Sequence, residues 1–403
     1  MSFSAFPIAT SQAIKATGTT SPRSLLDRLG DRKSVKDFGA IGNGSADDTA
    51  AIQAAVDWTS GEDRGIIFFP PGTYKATSAI TFNYDGEHSI IFEGCGDLST
   101  LSGNFNGYIL DRSNTNPTGG IRVIRNLKIS NAHATGGCIR FEGSVAGSVE
   151  NCFLNGYRVI TAIAGNSWHI QNCNIVGSTS AGAWGIMAAN AVAVINCDFQ
   201  ACAHGIRHYN TGLQVIGGRI ETCTVGIMLG QDESGNSTQS TGALVAATSM
   251  EANQTGIDLN SCSLANIIGV HASGGVSMVR GFYCHGASFS ILNACATSGS
   301  YTTAGFDADC NGGLVFNGCQ GASSGGGPAW LMPATAGAKI VCVGSNNPTI
   351  AVAFADLPGS PVGGQRNFIT NCSHSTFATD ADGGGTADVP VYYNAATASW
   401  KVG

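Results

Sequence analysis

The sequence predicts an all-β chain wound into a parallel β-solenoid, because it contains an internal repeat whose residues alternate between apolar and polar. Within the 403 residues, a six-residue unit recurs at intervals of 21 to 24 residues, with one interval of 30. A short alternating run at this period is typical of one solenoid coil, whereas helical repeats need a 3.6-residue periodicity. The units are VENCFL (149–154), IQNCNI (170–175), VINCDF (194–199), VIGGRI (215–220), VAATSM (245–250), IIGVHA (267–272), ILNACA (291–296) and VFNGCQ (315–320).

Equivalent positions of such coils should form columns, since successive strands stack about 4.8 Å apart. The pleat directs positions 1, 4 and 6 inwards and positions 2, 5 and 7 outwards. The third position holds Asn or Gly, which suits a corner with a left-handed backbone. Position 4 holds Cys152, Cys173 and Cys197, which we predict to be a buried apolar ladder rather than metal ligands or redox groups. Trp168 is likewise predicted to lie in the core.

An eight-residue pattern that begins at the end of this unit varies at one outward position. It reads FQACAHGI (199–206), IETCTVGI (220–227) and MEANQTGI (250–257), so Gln200, Glu221 and Glu251 form one column. Two carboxylates on successive coils lie about 5 Å apart, a spacing that suits the pair of a retaining glycosidase. We predict Glu221, Glu251 and Asp198 as catalytic candidates, and a salt-bridged solvent-facing surface is the alternative.

Arg219 lies between Asp198 and Glu221 in the outward positions, and Gln200 precedes the two glutamates. Arg219 would either clamp an acidic sugar or neutralise its neighbours, so we predict Arg219 and Gln200 as substrate-binding residues. The 30-residue interval contains a polar loop, GQDESGNSTQSTG (230–242), predicted to rise beside Glu221 and Glu251.

A glycine followed by an apolar residue forms a second repeated unit and predicts a second exposed face. The glycines are Gly185, Gly205, Gly226, Gly256, Gly281 and Gly305. Aromatic, basic and acidic residues flank them, a mixture that can stack on sugar rings and bond to their hydroxyls. We predict saccharide binding there, with a subunit interface as the alternative, by Trp184, Arg207, Tyr209, Asp258, Tyr283 and His285. His208 should point inwards.

The N-terminal third carries a family resemblance. SVKDFGAIGNGSADDTAAIQAAVDW (34–58) and GIIFFPPGTYKATSAITF (65–82) resemble the first segment of the pectate-lyase-like right-handed parallel β-helix superfamily, particularly the tailspikes of bacteriophages and prophages. The resemblance implies that Asp47 and Asp48 begin a short helix whose Ile52, Ala55 and Val56 cap the solenoid. Residues 14–29 resemble virion attachment linkers, and residues 353–403 resemble a small β module of phage tail proteins.

Three parts are therefore expected along the chain. Residues 1–33 would attach the protein to virion structural proteins, and residues 346–403 would form the small C-terminal β module. Residues 34–345 would form a right-handed parallel β-helix with its cap at 34–64. The resemblance also implies a homotrimer.

Net charge, apolar stretches and cysteine usage bear on the partners and the location of the protein. A net charge of −7 and a pI near 5.5 argue against nucleic acid as the main partner. No Sec-type signal is evident, the apolar stretch 181–197 is too short for membrane insertion, and 14 cysteines without a signal suggest free thiols. We expect a virion protein made in the host cytoplasm and released by lysis.

The expected function is recognition of a bacterial surface polysaccharide (capsule, exopolysaccharide or O-antigen). Whether the spike also depolymerises it stays open, and the alternatives are a non-catalytic adhesin and a purely structural fibre. Hydrolysis fits better than β-elimination, because no Asp cluster resembling a calcium site is evident. No cofactor or metal site is predicted.

Overall fold

The computed structural model is all-β and forms a parallel β-solenoid of about ten turns, as the repeat predicts. Its Cα positions divide into two compact units, Met1–Val176 and Gly177–Gly403. The residues that the structure describes are 13–14, 22–24, 30–61, 64–82, 89–113, 118–163, 165, 167–273, 278–285, 287–288, 290–308, 313–322, 330–331, 339–343, 345, 351–352, 366–372, 380–381, 387–394 and 396–402. Most of the expected attachment segment 1–33, and much of 346–403, lie outside this set, so the three-part division stays a prediction.

The first unit contains helix α1 (Thr49–Gly61) and a 3-10 turn (Val35–Phe38). Its longer strands pair in parallel, as in β8–β10 and β10–β12. The strands are β1 (Ala13–Ile14), β2 (Arg23–Ser24), β3 (Lys33–Ser34), β4 (Asn43–Asp47), β5 (Arg64–Phe68), β6 (Gly72–Ala76), β7 (Ile80–Thr81), β8 (Ser89–Gly103), β9 (Tyr108–Arg112), β10 (Thr118–Asn131), β11 (Gly137–Glu142), β12 (Ser144–Glu150), β13 (Phe153–Asn155), β14 (Arg158–Ile163), β15 (Trp168–Gln171) and β16 (Asn174–Val176).

The two aspartates before α1 have structural contacts. The Asp48 carboxylate accepts hydrogen bonds from the backbone N–H groups of Ile41 at 2.6 Å and Gly42 at 3.1 Å. The Asp47 carboxylate accepts from the backbone and hydroxyl of Thr49, and these bonds lower the pKa of Asp47. The apolar side chains of α1 predicted to face the core are fully buried: Ile52, Ala55 and Val56.

The second unit continues with shorter strands. They are β17 (Trp184–Ala189), β18 (Val192–Ile195), β19 (Asp198–Gln200), β20 (His204–Thr211), β21 (Leu213–Ile216), β22 (Arg219–Glu221), β23 (Val225–Leu229), β24 (Ser240–Thr241), β25 (Leu244–Ala246), β26 (Ser249–Glu251), β27 (Thr255–Leu259), β28 (Cys262–Ser263), β29 (Asn266–Ile268), β30 (His271–Ser273), β31 (Met278–Tyr283), β32 (Ala287–Ser288), β33 (Ser290–Asn293), β34 (Ala296–Ser298), β35 (Tyr301–Asp307), β36 (Gly313–Asn317), β37 (Trp330–Leu331), β38 (Lys339–Val343), β39 (Ala351–Val352), β40 (Arg366–Cys372), β41 (Ala387–Asn394) and β42 (Ser399–Val402).

Three parallel faces repeat around each coil of the second unit. Face A consists of β18, β21, β25, β29, β33 and β36. Face B consists of β19, β22, β26, β30 and β34. Face C consists of β17, β20, β23, β27, β31 and β35. The chain visits them in the order C, A, B, so each coil presents three outward surfaces.

The corner between the first two strands of the repeat is left-handed at the predicted position in six coils. Those residues are Asn151, Asn172, Asn196, Gly217, Ala247 and Gly269, with φ between 49° and 68°. In the last two coils the prediction is wrong by one residue, because Ala294 and Gly318 have the positive φ instead. Asn293 and Asn317 end their strands and join their side chains at 3.1 Å in an outward amide ladder.

The cysteine ladder is confirmed as buried structure. Cys152, Cys173 and Cys197 are at most 3% exposed, and each Sγ lies near backbone carbonyl oxygens, as Cys152 does to Glu150 at 3.2 Å. Trp168 is buried and stacks on Phe141 with centroids 4.0 Å apart. These side chains belong to the core.

The repeated glycines of face C are required by close approach of the backbone. A Cβ added to Gly226 would lie 2.5 Å from the carbonyl oxygen of Gly256, and one added to Gly256 would lie 2.4 Å from that of Gly281. Real Cβ atoms do not approach so closely, so only glycine fits. This contact explains why the second unit of the repeat keeps a glycine in coil after coil.

Candidate functional site

The variable column of the eight-residue pattern lies on face B, as predicted. Gln200 pairs with Glu221, and Glu221 pairs with Glu251, in the parallel ladder of β19, β22 and β26. Neighbouring strands lie about 4.8 Å apart, so the two glutamates emerge side by side. Ser273 and Ser298 continue the column. Thr297 would occupy this column if the repeat kept its spacing, but it is buried because the corner of its coil lies one residue later, at Ala294.

A sharp corner fixes the place of these glutamates at the strand ends. The next residues, Thr222 and Ala252, have left-handed φ values of 54° and 52°. The residue after each corner enters the core, where the Asn253 side chain replaces a cysteine. Asn253 Oδ1 accepts from the backbone N–H of Cys223, and its Nδ2 donates to the carbonyl of Ile220, both at 2.8 Å. These two hydrogen bonds join the corner that follows Glu251 to the corner that follows Glu221.

The two glutamates have different neighbours. Arg219 Nη1 lies 3.2 Å from Glu221 Oε2, and the Ser249 hydroxyl donates to Glu251 Oε1 at 3.1 Å. Asp198 is exposed and pairs in register with Arg219, although the Arg219 ion pair is made with Glu221. Of the two roles predicted for Arg219, the observed contact is that of neutralising a neighbour. Exposed ion pairs of this kind contribute about 1 kcal/mol or less to stability.

Face C has the predicted columns but is not an open ridge. Arg207, Met228, Asp258 and Tyr283 follow one another in register across β20, β23, β27 and β31. Yet Arg207 is only 4% exposed and Asp258 only 8%, while Trp184 is 2% exposed. The expectation of a fully exposed face is therefore wrong for these three side chains. Tyr209, Tyr283 and His285 remain half-buried and reach the surface.

The loop 230–242 contacts one edge of face C. The Tyr209 hydroxyl donates to Glu233 Oε2 at 3.1 Å, and Asn260 Nδ2 donates to the Ser237 hydroxyl at 3.2 Å. The loop leaves β23 at its C-terminal end, the edge of face C away from face B. It therefore contacts face C, and the expectation that it rises beside Glu221 and Glu251 is wrong.

A polar cluster occupies the middle of face C. His285 Nε2 lies 2.9 Å from Asp258 Oδ1, and the His285 ring stacks on Tyr283 with centroids 4.1 Å apart. Arg280 also belongs to this cluster, because its guanidinium carbon lies 4.1 Å from the centre of the Tyr283 ring. Its Nε also lies 2.5 Å from Asp307 Oδ2. Acidic, basic and aromatic groups therefore converge on one surface.

Two basic side chains at this face, the half-buried His204 and the buried Arg207, each have a buried atom without a hydrogen-bond partner among the described residues. These atoms are His204 Nδ1 and Arg207 Nε. Burial lowers the pKa of His204 to about 4, and the nearby Arg207 charge acts in the same direction. Burial also lowers the pKa of Arg207, while the carboxylates of Asp232 and Glu233 oppose that shift. Both of these atoms are shielded from solvent.

Sequence reasoning did not select His204, Arg280 or Asp307 as site residues. His204 and Arg280 stand directly before repeated glycines, in the same column as Trp184. The column signal was therefore present in the sequence. His208, predicted to point inwards, is fully buried between Ser240 Oγ and the Asn190 carbonyl, each at 3.0 Å.

In the part of the chain that the structure describes, no cluster of three or more His, Cys, Asp or Glu side chains could hold a metal ion. The same residues include no helix with the length and apolar character needed to span a membrane.

Comparison with known proteins supports the fold. Residues 33–228 match the profile of the family described as Rhamnogalacturonase A/epimerase, pectate lyase-like. This part of the chain, just under half of it, is thus similar to the pectate lyase-like family. The resemblance to tailspike-like solenoids is confirmed as well, because solved phage tailspikes share the fold.

Three solved structures illustrate this likeness, which shows fold alone at such low identity. The tailspike protein of E. coli bacteriophage HK620 has a TM-score of 0.57 and 13% identity, covering 84% of this chain and 71% of the tailspike. PfbA, a surface adhesin of Streptococcus pneumoniae, has a TM-score of 0.52 and 12% identity, and the match covers 84% of this chain and 98% of the adhesin. The GH87 α-1,3-glucanase catalytic unit of Streptomyces thermodiastaticus has a TM-score of 0.51 and 15% identity, and the match covers 83% of this chain and 71% of the glucanase.

Curated relatives match over short stretches. A probable glucan endo-1,3-beta-glucosidase of Arthroderma benhamiae is 33% identical over 145 residues, which is 30% of this chain and 16% of that protein. Mannuronan C5-epimerase AlgE6 of Azotobacter vinelandii is 49% identical over 45 residues, which is 11% of this chain and 5% of the epimerase. The chain thus spans only a small part of the length of these relatives.

Proposed function

We propose that this protein is a virion spike that binds a bacterial surface polysaccharide on face C of its second unit. The observation that carries the proposal is the polar and aromatic cluster of Asp258, Tyr283 and His285, next to the loop 230–242. A stacked pair of rings provides a flat platform for a sugar, and the adjacent carboxylate accepts bonds from its hydroxyls. The loop, which accepts a hydrogen bond from the Tyr209 hydroxyl at Glu233, would form a wall at one side of the binding site.

The names of structural neighbours support a glycan ligand. The HK620 tailspike, at a TM-score of 0.50, was solved in complex with a pentasaccharide, and another neighbour is a glucanase. Attachment to other virion proteins through residues 1–33 is proposed from the sequence resemblance.

Retention of capsule, exopolysaccharide and O-antigen preparations on the immobilised protein tests this function. Tyr283→Ala and His285→Ala should each lower the affinity about tenfold, because each removes one ring of the stack. His169→Ala is the matched control, since His169 is exposed on β15 of the first unit. Unchanged affinity in both face C variants, or retention of no polysaccharide, would contradict the proposal.

A second candidate, hydrolysis of a glycan segment that extends from face C onto face B, is favoured by the adjacent pair Glu221 and Glu251. One carboxyl group would protonate the glycosidic oxygen while the other carboxylate attacks the anomeric carbon, and water would then release the sugar. Shorter fragments without absorbance near 235 nm would indicate hydrolysis, and fragments with that absorbance would indicate β-elimination. Binding without fragments would indicate an adhesin.

Self-association, proposed as a homotrimer, is supported by the outward surface of face A. The strands β18, β21, β25, β29, β33 and β36 contain no charged residue or histidine. Ile216, Ile268 and Ile291 are nevertheless 38–39% exposed there. A chain with a net charge of −7 meets another copy with the least repulsion through its neutral face. Apolar centres rimmed by amides, such as Asn266 and Asn293, are common in such interfaces.

A further inference from the structure

The coils that carry both candidate sites are acidic and contain no lysine. Between Trp184 and Asp307 there are three arginines against seven carboxylates, which leaves a net charge of −4 with histidines neutral. The arginines are Arg207, Arg219 and Arg280. The carboxylates are Asp198, Glu221, Asp232, Glu233, Glu251, Asp258 and Asp307.

Each of the three arginines already has an acidic neighbour within this unit. Arg219 pairs with Glu221 at 3.2 Å, and Arg280 pairs with Asp307 at 2.5 Å. Arg207 lies close enough to Asp232 and Glu233 for their charges to raise its pKa against the effect of burial. An incoming carboxylate would therefore have to compete with a protein carboxylate for every cation on these faces.

We infer that the polysaccharide recognised by this protein is uncharged, and that polyuronates and other acidic glycans are rejected. The inference rests on the proposed function and specifies its substrate class. A polyuronate carries one negative charge per sugar, and most of these charges would lie within a Debye length, about 8 Å at physiological salt, of a protein carboxylate. Like charges that meet in a contact without a compensating cation strongly disfavour binding, so they exclude wrong partners effectively.

The same carboxylates favour a neutral sugar. A sugar hydroxyl that donates to an ionised carboxylate forms a charge-assisted hydrogen bond, which is stronger than a bond between neutral groups. Asp258 and Glu233 lie beside the Tyr283–His285 stack and the Tyr209 hydroxyl, respectively. Carboxylates near aromatic rings thus recognise polyhydroxyl surfaces without needing an anionic group.

The test compares polymers that differ in charge. Alginate and polygalacturonate are the anionic probes, and their carboxyl-reduced forms, together with dextran, α-1,3-glucan and neutral O-antigen chains, are the uncharged probes. We expect retention only of uncharged polymers at physiological salt. Retention of an anionic probe as tight as that of the best uncharged one would overturn the inference. If no polymer of either class is retained, the proposed function fails together with the inference.

A charge variant provides a second test that does not depend on the preferred linkage. Asp232→Asn/Glu233→Gln keeps amide oxygens as hydrogen-bond acceptors but frees Arg207 from its acidic neighbours. Retention of alginate at low salt should rise about tenfold relative to wild type. Asp57→Asn/Asp97→Asn changes the net charge equally on exposed residues of the first unit and should not raise it. Equal behaviour of the two variants would contradict a local charge barrier.

Discussion

Glu221 and Glu251 lie side by side at the ends of β22 and β26, each followed by a left-handed corner. The register leaves no residue between them, so their backbones are separated by a single strand spacing, about 4.8 Å. Acidic residues in direct cross-strand contact are unfavourable to stability. Arg219 offsets part of this cost at Glu221, and the Ser249 hydroxyl donates a hydrogen bond to Glu251. A catalytic role for the pair stays a proposal.

If the pair hydrolyses a glycan, Glu221→Gln and Glu251→Gln should each reduce fragment release at least about 100-fold, because the amide can neither donate a proton as an acid nor act as a nucleophile. Retention of the polymer should change by less than about threefold. Glu150→Gln is the control, since Glu150 accepts from Ser148 much as Glu251 accepts from Ser249. Full cleavage by either face B variant would rule out this assignment.

The hydrogen bond from Tyr209 to Glu233 should hold the loop 230–242 against face C. Tyr209→Phe removes the hydroxyl and should speed amide exchange across the loop, with a loss of stability of about 1 kcal/mol. Glycan affinity should fall severalfold if the loop forms a wall of the site. Tyr157→Phe, on a half-buried tyrosine of the first unit, is the control. Unaltered exchange in the loop would show that other contacts hold it.

His208 should make the protein less stable in acid. Burial lowers its pKa to about 4, below the unfolded value near 6.5, so the folded state favours the neutral ring. The preference for the neutral ring contributes up to about 3 kcal/mol to the free energy of unfolding. This contribution is complete above about pH 6.5 and is lost as the pH falls towards 4. His208→Gln should show a shallower decline in urea unfolding free energy between pH 7 and pH 4.5. Parallel pH profiles for the two proteins would contradict this.

The glycine column should tolerate no side chain. Gly226→Ala places a Cβ 2.5 Å from the Gly256 carbonyl oxygen, so the coils must separate locally. We expect a loss of about 2 kcal/mol or more in unfolding free energy. Gly30→Ala, where no heavy atom lies within 4 Å of the added Cβ, should cost little. A similar small effect for both would mean that the backbone relaxes freely.

Charge on face A should dissociate the proposed oligomer. Ile268→Glu and Ile291→Glu place carboxylates on outward positions, so the coil core should remain folded. Sedimentation should shift from oligomer to monomer, whereas His271→Glu on face B should leave the oligomer intact. A monomeric wild type would contradict the homotrimer itself. An oligomer unaffected by both face A variants would contradict only the assignment of the face.

Periodicity in the sequence predicted the columns, because every coil repeats the same pairing. Gln200, Glu221 and Glu251 align as expected, and so do Arg207, Met228 and Asp258. Burial of outward residues was not predictable in the same way. The cover over Tyr209 and Asn260 depends on where the loop 230–242 folds, and the composition of the loop does not give that direction.

The shift at Ala294 had a different cause. Asn293 matches the corner residue of earlier coils, yet an asparagine at a strand end can equally extend an amide ladder. Since both uses favour the same residue type, the sequence pattern could not distinguish them. The position of Ser298, and the burial of Thr297, followed from that choice.

The coil from Gly226 to Gly256 is longer than its neighbours, yet its glycine contact is as close as theirs, 2.5 Å against 2.6 Å from Gly205 to Gly226. The added residues lie between Leu229 and Ser240, outside the ladder of the three faces. The winding and the loop beside the proposed binding face are thus separable in this molecule. A different segment spliced between those two residues would change the surface next to face C while the underlying winding stays as it is.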